Sequence, residues 1–508
     1  MMSRTSTVLS IALLAVTGWL IYATRLGEVP AYFIQDEMQW ALQSQAIATT
    51  GRDMSGRFLP LYFPEPGFPS GRDPVLIYVT ALGLKLLPFS DAGVRTPTAL
   101  IAVLNIVLTF VVARRLFQST VIGLAAAGLL LFTPIHFLRG RLVLSPLYSI
   151  PFILAWLWCL ARFEEQRTPR NLVAAACLLG VGTYSYLGAV VMMPIYLMVT
   201  LAVGYRRLGA AAAIKAAAAF AATLIPMALW YVTHPERNAQ IVSAYQLDAA
   251  AESLLTRWLR LYWSFFDPSF LFVSGDASLI NSTREAGFFP MAFAVLLPIG
   301  LYAVVRSRQP LPLTIGLGFV IAPLVSMLSG SIEMNRVMFA IPFGVLLAAY
   351  GVNAMLRAPA LAIRAAAIIL LLTIPLQFVR LYSGYFGGYR LAAVPYLAGN
   401  SREALRALMA QAAVQSGPIY ISEEIEWAQR IWRFYAIADG RMDMLGRALY
   451  YRDAPPADAA PGAPLVCPAI SARCQALKQD GWTEVAEVPS LDGSRRFTLL
   501  ARAAAGRQ

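Results

Sequence analysis

Long apolar runs, broken at short intervals by arginines, fill the first three quarters of the chain. A membrane span needs roughly 17–25 mostly apolar residues. About eleven stretches meet that measure, near 7–24, 94–113, 120–137, 147–162, 171–187, 189–205, 211–232, 287–305, 311–329, 337–356 and 361–381. Residues 74–88 are apolar but too short to span, and read as a half-inserted or interfacial helix. After residue 382 the pattern changes. Short β-like runs (Pro418-Ile-Tyr-Ile-Ser, Phe497-Thr-Leu-Leu) alternate with helical stretches over 402–413 and 423–436, and a proline- and alanine-rich loop covers 454–464. The expected architecture is an all-α polytopic membrane protein over residues 1–382, with long loops at 25–93 and 233–286, followed by a small α/β domain over 383–508. No internal repeat or inverted half is evident.

The loops give the orientation. One alternate set is short and basic: Arg114-Arg115, Arg162 to Arg170, Arg206-Arg207, Arg306 and Arg308, and Arg357 to Arg364. Short loops rich in Lys and Arg stay in the cytoplasm. The other set is longer and carries acids, aromatics and glycine. This pattern predicts a cytoplasmic N-terminus and places the long loops and the C-terminal domain outside a bacterial inner membrane. The N-terminal apolar run reads as an uncleaved anchor rather than a secretory signal.

Composition narrows the class further. Of 508 residues, 58% are hydrophobic and only 14% charged, against roughly 25% charged in soluble domains. The net charge of +13 sits mostly in the short loops, so it is a topology signal and predicts no nucleic-acid partner. Cys159 and Cys177 fall inside spans as small core residues. Cys467 and Cys474 lie in the polar tail with six residues between them, placed to pair if the tail faces an oxidising compartment.

The most informative residues follow the first span. Asp36 and Glu37 open Gln35-Asp-Glu-Met-Gln-Trp-Ala-Leu-Gln-Ser-Gln-Ala-Ile-Ala, which reads as a short amphipathic helix on the membrane surface. Met38, Ala41, Leu42 and Ala46 form its apolar stripe, with Asp36 and Gln43 turned away. Ionisable side chains at a membrane boundary are costly and usually functional. Two compatible readings stand: a general base for an acceptor hydroxyl, or a helix cap, since Asp36 and Gln39 have capping-box spacing.

Arginines on the predicted outer face are the second set: Arg52, Arg57 and Arg72 in the first long loop, Arg139 and Arg141 in Thr133-Pro-Ile-His-Phe-Leu-Arg-Gly-Arg-Leu, and Arg336 in Ser331-Ile-Glu-Met-Asn-Arg with Glu333 beside it. Guanidinium groups suit a phosphate because they are always charged and bind bidentately. They also pair with loop acids or reach headgroups. Tyr184 and Tyr186, in Gly182-Thr-Tyr-Ser-Tyr-Leu-Gly, read either as aromatic belt residues or as sugar or phosphate contacts. In the loop from Tyr262 to Gly287, aromatics would line a membrane-adjacent wall, and Asp267 and Asp276 either bind sugar hydroxyls or cap local turns. Asn281-Ser-Thr matches a glycosylation sequon. No Walker loop, dinucleotide fingerprint, zinc spacing or nucleophile elbow is present.

Taken in order, Asp36-Glu37, Asp73-Pro74, the run Gly93 to Leu100, Ala113 to Phe117, Thr133 to Pro146, the Gly182 turn and Phe270 to Asp276 resemble the polyprenyl-phosphate-sugar-dependent glycosyltransferases of the GT-C class. The resemblance is to the bacterial relatives of protein O-mannosyltransferases and of the lipid A aminoarabinose transferases, over about the first 350 residues. It implies a helical bundle with interfacial helices over an outer cavity. It also implies an inverting transfer of a hexose or pentose from a lipid-phosphate sugar to a glycan, lipid or protein acceptor among membrane lipids. By that resemblance Asp36 is the base, Glu37 shapes its site, and outer arginines hold the leaving phosphate. No cofactor is required, and nothing in the sequence supports a divalent metal. The chain departs from many relatives in having Leu142 after Arg141 where they carry an acid, and Asp73-Pro74 where they carry two prolines. The alternatives are a lipid-linked-glycan transporter or non-catalytic assembly protein, and a ligase that uses a lipid-pyrophosphate glycan.

Overall fold

A computed structural model describes residues 4–63, 73–235 and 253–503. Its helices in chain order are α1 (Arg4–Ala23), α2 (Gln35–Thr50), α3 (Pro74–Leu84), α4 (Asp91–Phe117), α5 (Thr120–Leu131), α6 (Pro134–Arg139), α7 (Ile150–Gln166), α8 (Pro169–Gly182), α9 (Ala189–Leu208) and α10 (Ala210–Thr233). They continue as α11 (Leu254–Ser264), α12 (Phe293–Ser307), α13 (Pro310–Ile321), α14 (Leu324–Ser329), α15 (Ala340–Leu356), α16 (Leu361–Phe386), α17 (Gly388–Ala392), α18 (Arg402–Ala412), α19 (Ala428–Ala438) and α20 (Ala472–Gln479). Every one of the eleven apolar stretches carries helix. Six of the described helices are long and apolar enough to cross a membrane, or seven if the two halves of bent α10 count as one span, and five shorter apolar helices accompany them. The chain is a multi-pass membrane protein. α3, with 11 residues, is among the short ones.

Two compact units emerge. The first comprises residues 1–24, 55–79 and 96–383. Its long helices keep apolar faces exposed: on α16, Leu372, Leu376 and Val379 are 60–71% exposed. In water this would be a liability, but in lipid it costs nothing. Van der Waals packing between helices replaces the hydrophobic drive there. At the α12–α15 crossing, a Cβ on Gly300 would lie 1.9 Å from the Leu347 carbonyl oxygen, and one on Gly351 would lie 2.3 Å from that of Leu296. Only glycine permits this approach.

The second unit comprises residues 25–54, 80–95 and 384–508. Its centre is a five-stranded sheet built from β1 (Ile419–Ser422), β2 (Ala448–Tyr451), β3 (Pro464–Pro468), β4 (Trp482–Pro489) and β5 (Arg496–Arg502). The strand order is β2-β1-β3-β5-β4. β1 runs parallel to both β2 and β3, while β5 is antiparallel to β3 and β4. Both β-like runs read from the sequence became strands, β1 and β5. Leu465, Trp482 and Leu500 pack with Tyr420 into a core that includes a Cys467–Cys474 disulfide. α2 packs on α19 within this unit.

Candidate functional site

In the second unit, the sequence folds the acidic pair into a locked corner. α2 begins after Ile34, whose backbone is extended, and ends at Gly51 in the left-handed region. Capping falls to Glu37 rather than Asp36: its Oε2 accepts from the Ile34 N–H at 3.2 Å. Ile34 offers no side-chain acceptor in return, so only half of a capping box exists. The amphipathic surface helix is also corrected. Glu37, Met38, Gln39, Trp40, Ala41, Leu42, Gln43, Ser44 and Ile47 are all buried, so α2 is enclosed on most sides. Gln43 is buried and accepts from the Met54 N–H at 3.1 Å instead of facing outward.

Glu37 is held by Arg95, on the first turns of α4. Arg95 Nε donates to Glu37 Oε1 at 3.1 Å and Nη2 to Oε2 at 3.2 Å. The same guanidinium donates to the carbonyls of Leu26, Pro30 and Tyr32 at 2.8–3.1 Å. It lies 4.7 Å from the Phe33 ring centroid. Both side chains are at most 1% exposed. One arginine thus organises the whole turn between residues 26 and 37. Both oxygens of Glu37 are engaged, by Arg95 and by the Ile34 N–H. Asp36, its neighbour, stays part-exposed. Arg95 was missed as a site residue although it lies in the Gly93–Leu100 run. An arginine in the first turns of a long apolar helix must find a buried partner, and that was the available signal.

In the same unit Arg402 bridges Asp91 Oδ2 at 3.0 Å and Glu403 Oε1 at 2.9 Å. Tyr32 donates to Glu403 Oε2 at 2.7 Å, and Tyr435 to Asp91 Oδ2 at 3.3 Å. Burial, followed by the neighbouring Glu403 carboxylate, pushes the Tyr32 phenol well above its ordinary range, and burial does the same to Tyr435.

In the first unit, the segment carrying Arg139 and Arg141 is fully buried. Arg139 Nη2 donates to Asn281 Oδ1. Arg141 Nη1 donates to the Tyr22 carbonyl at 2.6 Å, and its guanidinium lies 5.5 Å from the Phe137 ring centroid. Tyr22 also belongs to a buried polar chain. Asn105 Nδ2 meets His136 Nε2 at 3.5 Å, His136 Nδ1 meets the Tyr22 hydroxyl at 2.8 Å, and that hydroxyl donates to the Leu131 carbonyl at 3.0 Å. All three contacts pair a donor with an acceptor when the imidazole proton sits on Nδ1. Asn281 of the sequon is buried, and its amide oxygen accepts from Arg139.

The remaining predicted residues have local duties. Asp276 Oδ1 accepts from the Ser278 N–H at 2.9 Å and Oδ2 from the Met334 N–H at 3.2 Å, tying two loops together. Arg336 pairs with Glu333 at 3.0 Å and donates to Ser331 Oγ at 2.7 Å. Asp267 is exposed and caps Ser269 at 2.8 Å. The aromatics of this loop form no simple wall. Phe265 and Phe270 are buried against Phe288, while Trp263 is 65% exposed. Tyr184 braces the backbone. Its hydroxyl donates to the Thr223 carbonyl at 2.8 Å and accepts from the Met227 N–H at 3.3 Å. It thereby replaces the backbone bond between those residues, next to Pro226, where α10 bends by 45°. A proline and an inserted side chain are recognised causes of such a bend. Tyr186 is part-buried and lies 6.0 Å from Phe339, ring to ring. Arg52 is exposed and Arg57 part-exposed. Arg72 lies outside the described residues. No group of three His, Cys, Asp or Glu side chains gathers as a metal site among the described residues.

Residues 69–230 match the family model described as dolichyl-phosphate-mannose-protein mannosyltransferase. Among solved structures, ArnT from Cupriavidus metallidurans in the apo state matches with a TM-score of 0.61 and 15% identity over 99% of both chains. The same protein bound to undecaprenyl phosphate matches with a TM-score of 0.60 and 16% identity over 100% of both. An oligosaccharyltransferase from Archaeoglobus fulgidus matches with a TM-score of 0.49 and 12% identity, over 88% of this chain and 64% of that one. No curated protein matches the chain in sequence. The fold is therefore like that of ArnT, and over the helical part of the chain this agrees with the fold that the ordered motifs implied.

Proposed function

We propose that the chain is a glycosyltransferase of the bacterial inner membrane. It moves a sugar from a polyprenyl-phosphate donor to an acceptor hydroxyl on the outer face, with inversion, and Asp36 is the general base. The observation that carries this reading is the split between two adjacent acids. Glu37 is buried and committed to Arg95, whereas Asp36, about 100° around the helix, stays part-exposed. The pinned Glu37 fixes the first turn of α2 and so the direction in which Asp36 projects.

The acceptor oxygen attacks the anomeric carbon as its proton passes to the Asp36 carboxylate. The bond between that carbon and the phosphate oxygen breaks, and the lipid phosphate leaves with the electron pair. The donor diester carries one negative charge and the departing monoester gains a second, so cationic groups at the phosphate lower the barrier. The resemblance gives that task to outer-face arginines, for which Arg139, Arg141 and Arg336 are the candidates. The structure of ArnT with undecaprenyl phosphate bound and the dolichyl-phosphate-mannose family match support a polyprenyl-phosphate donor. No step calls on a metal.

The test is Asp36→Asn in the full-length protein, assayed for transfer from a polyprenyl-phosphate sugar. General-base removal should cost about 10²–10⁴-fold in rate with thermal stability retained. A folded variant with full activity would sink the assignment. Extraction of lipid-linked sugars from a deletion strain would name the donor that accumulates and the glycan that is lost.

A further inference from the structure

The face bearing the short basic loops holds a cavity of about 490 Å³, formed by the last turns of α4, α7 and α9 and the first turn of α13. None of its residues belongs to the transfer chemistry proposed above. Its polar wall consists chiefly of Arg115, Arg167, Arg207, Glu164 and Glu165. Each carboxylate has an ion-pair partner: Glu165 pairs with Arg115, and Glu164 Oε2 lies 2.8 Å from Arg167 and 3.8 Å from Arg207. Three guanidinium groups against two carboxylates leave a net positive charge, and the N-terminal end of α13 adds to it.

The hydrogen-bond inventory points to what the cavity would take. Arg115 Nε and Arg167 Nη1 are buried donors with no acceptor among the described residues, and Glu164 Oε1 is a buried acceptor with no donor. Buried polar groups are nearly always paired. A ligand offering acceptor oxygens together with one hydroxyl or ammonium donor would satisfy both kinds at once. A phosphate ester of glycerol or ethanolamine has that pattern, and basic pockets between membrane helices suit lipid headgroups. We propose that this cavity binds a phosphate ester bearing a hydroxyl or amine, as in a glycerophospholipid headgroup.

The test uses the full-length chain, delipidated in detergent. Native mass spectrometry with phosphatidylglycerol, phosphatidylethanolamine, phosphatidylcholine and diacylglycerol measures lipid retention, and melting with glycerol 3-phosphate covers a soluble source. Phosphatidylglycerol or phosphatidylethanolamine should be retained above phosphatidylcholine, which has the phosphate but no donor, and above diacylglycerol. Arg207→Gln should weaken retention about fivefold, as expected for a part-exposed charge. Arg207→Lys should preserve it, and Glu164→Gln, which weakens the acceptor for the headgroup's donor, should narrow the preference for phosphatidylethanolamine over phosphatidylcholine. Stabilisation by glycerol 3-phosphate without lipid retention supports the same chemistry from a soluble source. Equal retention of all four lipids without stabilisation by glycerol 3-phosphate, or a preference for phosphatidylethanolamine over phosphatidylcholine that Glu164→Gln leaves unchanged, overturns the proposal.

Discussion

Replacing Arg95 with methionine keeps most of the side chain's volume and removes its charge and its donors. A carboxylate with no measurable exposure then loses its counter-ion, and the carbonyls of Leu26, Pro30 and Tyr32 lose the donor that served all three. Removing one partner of a buried pair costs roughly 3–5 kcal/mol. No discount for solvent screening applies, because neither side chain is more than 1% exposed. Each carbonyl left unsatisfied would add about 1–3 kcal/mol if water stayed out, so Arg95→Met should fall at about 5 kcal/mol or above. Glu37→Gln should cost about 3 kcal/mol, since Arg95 keeps its backbone acceptors and glutamine can still accept from Ile34. The double variant should cost less than the sum, because the charge term enters only once while the carbonyl term persists. Hydrogen exchange of peptides covering residues 26–50 gives the local readout. Where reclosing outpaces exchange, 3–5 kcal/mol corresponds to about 10²–10⁴-fold faster exchange. Exchange in both single variants within threefold of the parent would refute the account, and so would strict additivity in the double.

Three further outcomes follow from particular contacts. Tyr184→Phe removes the hydroxyl that bridges Thr223 and Met227 at the bend of α10. It should lower stability by about 1–3 kcal/mol and leave donor affinity unchanged; the reverse pattern in melting and donor-titration experiments would return Tyr184 to the substrate site. Replacing Cys467 and Cys474 with serine opens a short loop between β3 and α20, and should cost about 2–3 kcal/mol by chain entropy, read as faster limited proteolysis of residues 464–503. High pH should loosen the second unit. Tyr32 and Tyr435 have phenols raised above their ordinary value by burial, so the folded state binds their protons more tightly than the unfolded chain. That stabilisation is intact below the ordinary tyrosine range near 10 and declines as pH rises beyond it. A melting profile flat from pH 9 to 11.5, with Tyr32→Phe and the parent identical, would contradict it.

Much of this protein is written locally. Span length, the sidedness of arginine, and the strands at Ile419–Ser422 and Arg496–Arg502 depend on a few adjacent residues and on the dimensions of a bilayer, so the sequence by itself determined a multi-pass helical protein with a small sheet domain. The order of its motifs also carried the fold resemblance. The roles of the charged residues were decided only in three dimensions. Asp36 and Glu37 are neighbours with the same chemistry, and nothing in their spacing says which is buried against an arginine. That choice is made by Arg95, 58 residues away, because burying a carboxylate demands a counter-ion and the folded chain brings one to Glu37. Likewise Arg141 meets the Tyr22 carbonyl across 119 residues, and Tyr184 meets the bend of α10 across 39. Hydropathy is a property of a stretch and can be read along the chain. The partner of a buried charge or hydroxyl is a property of the packing, and only the tertiary structure supplies it.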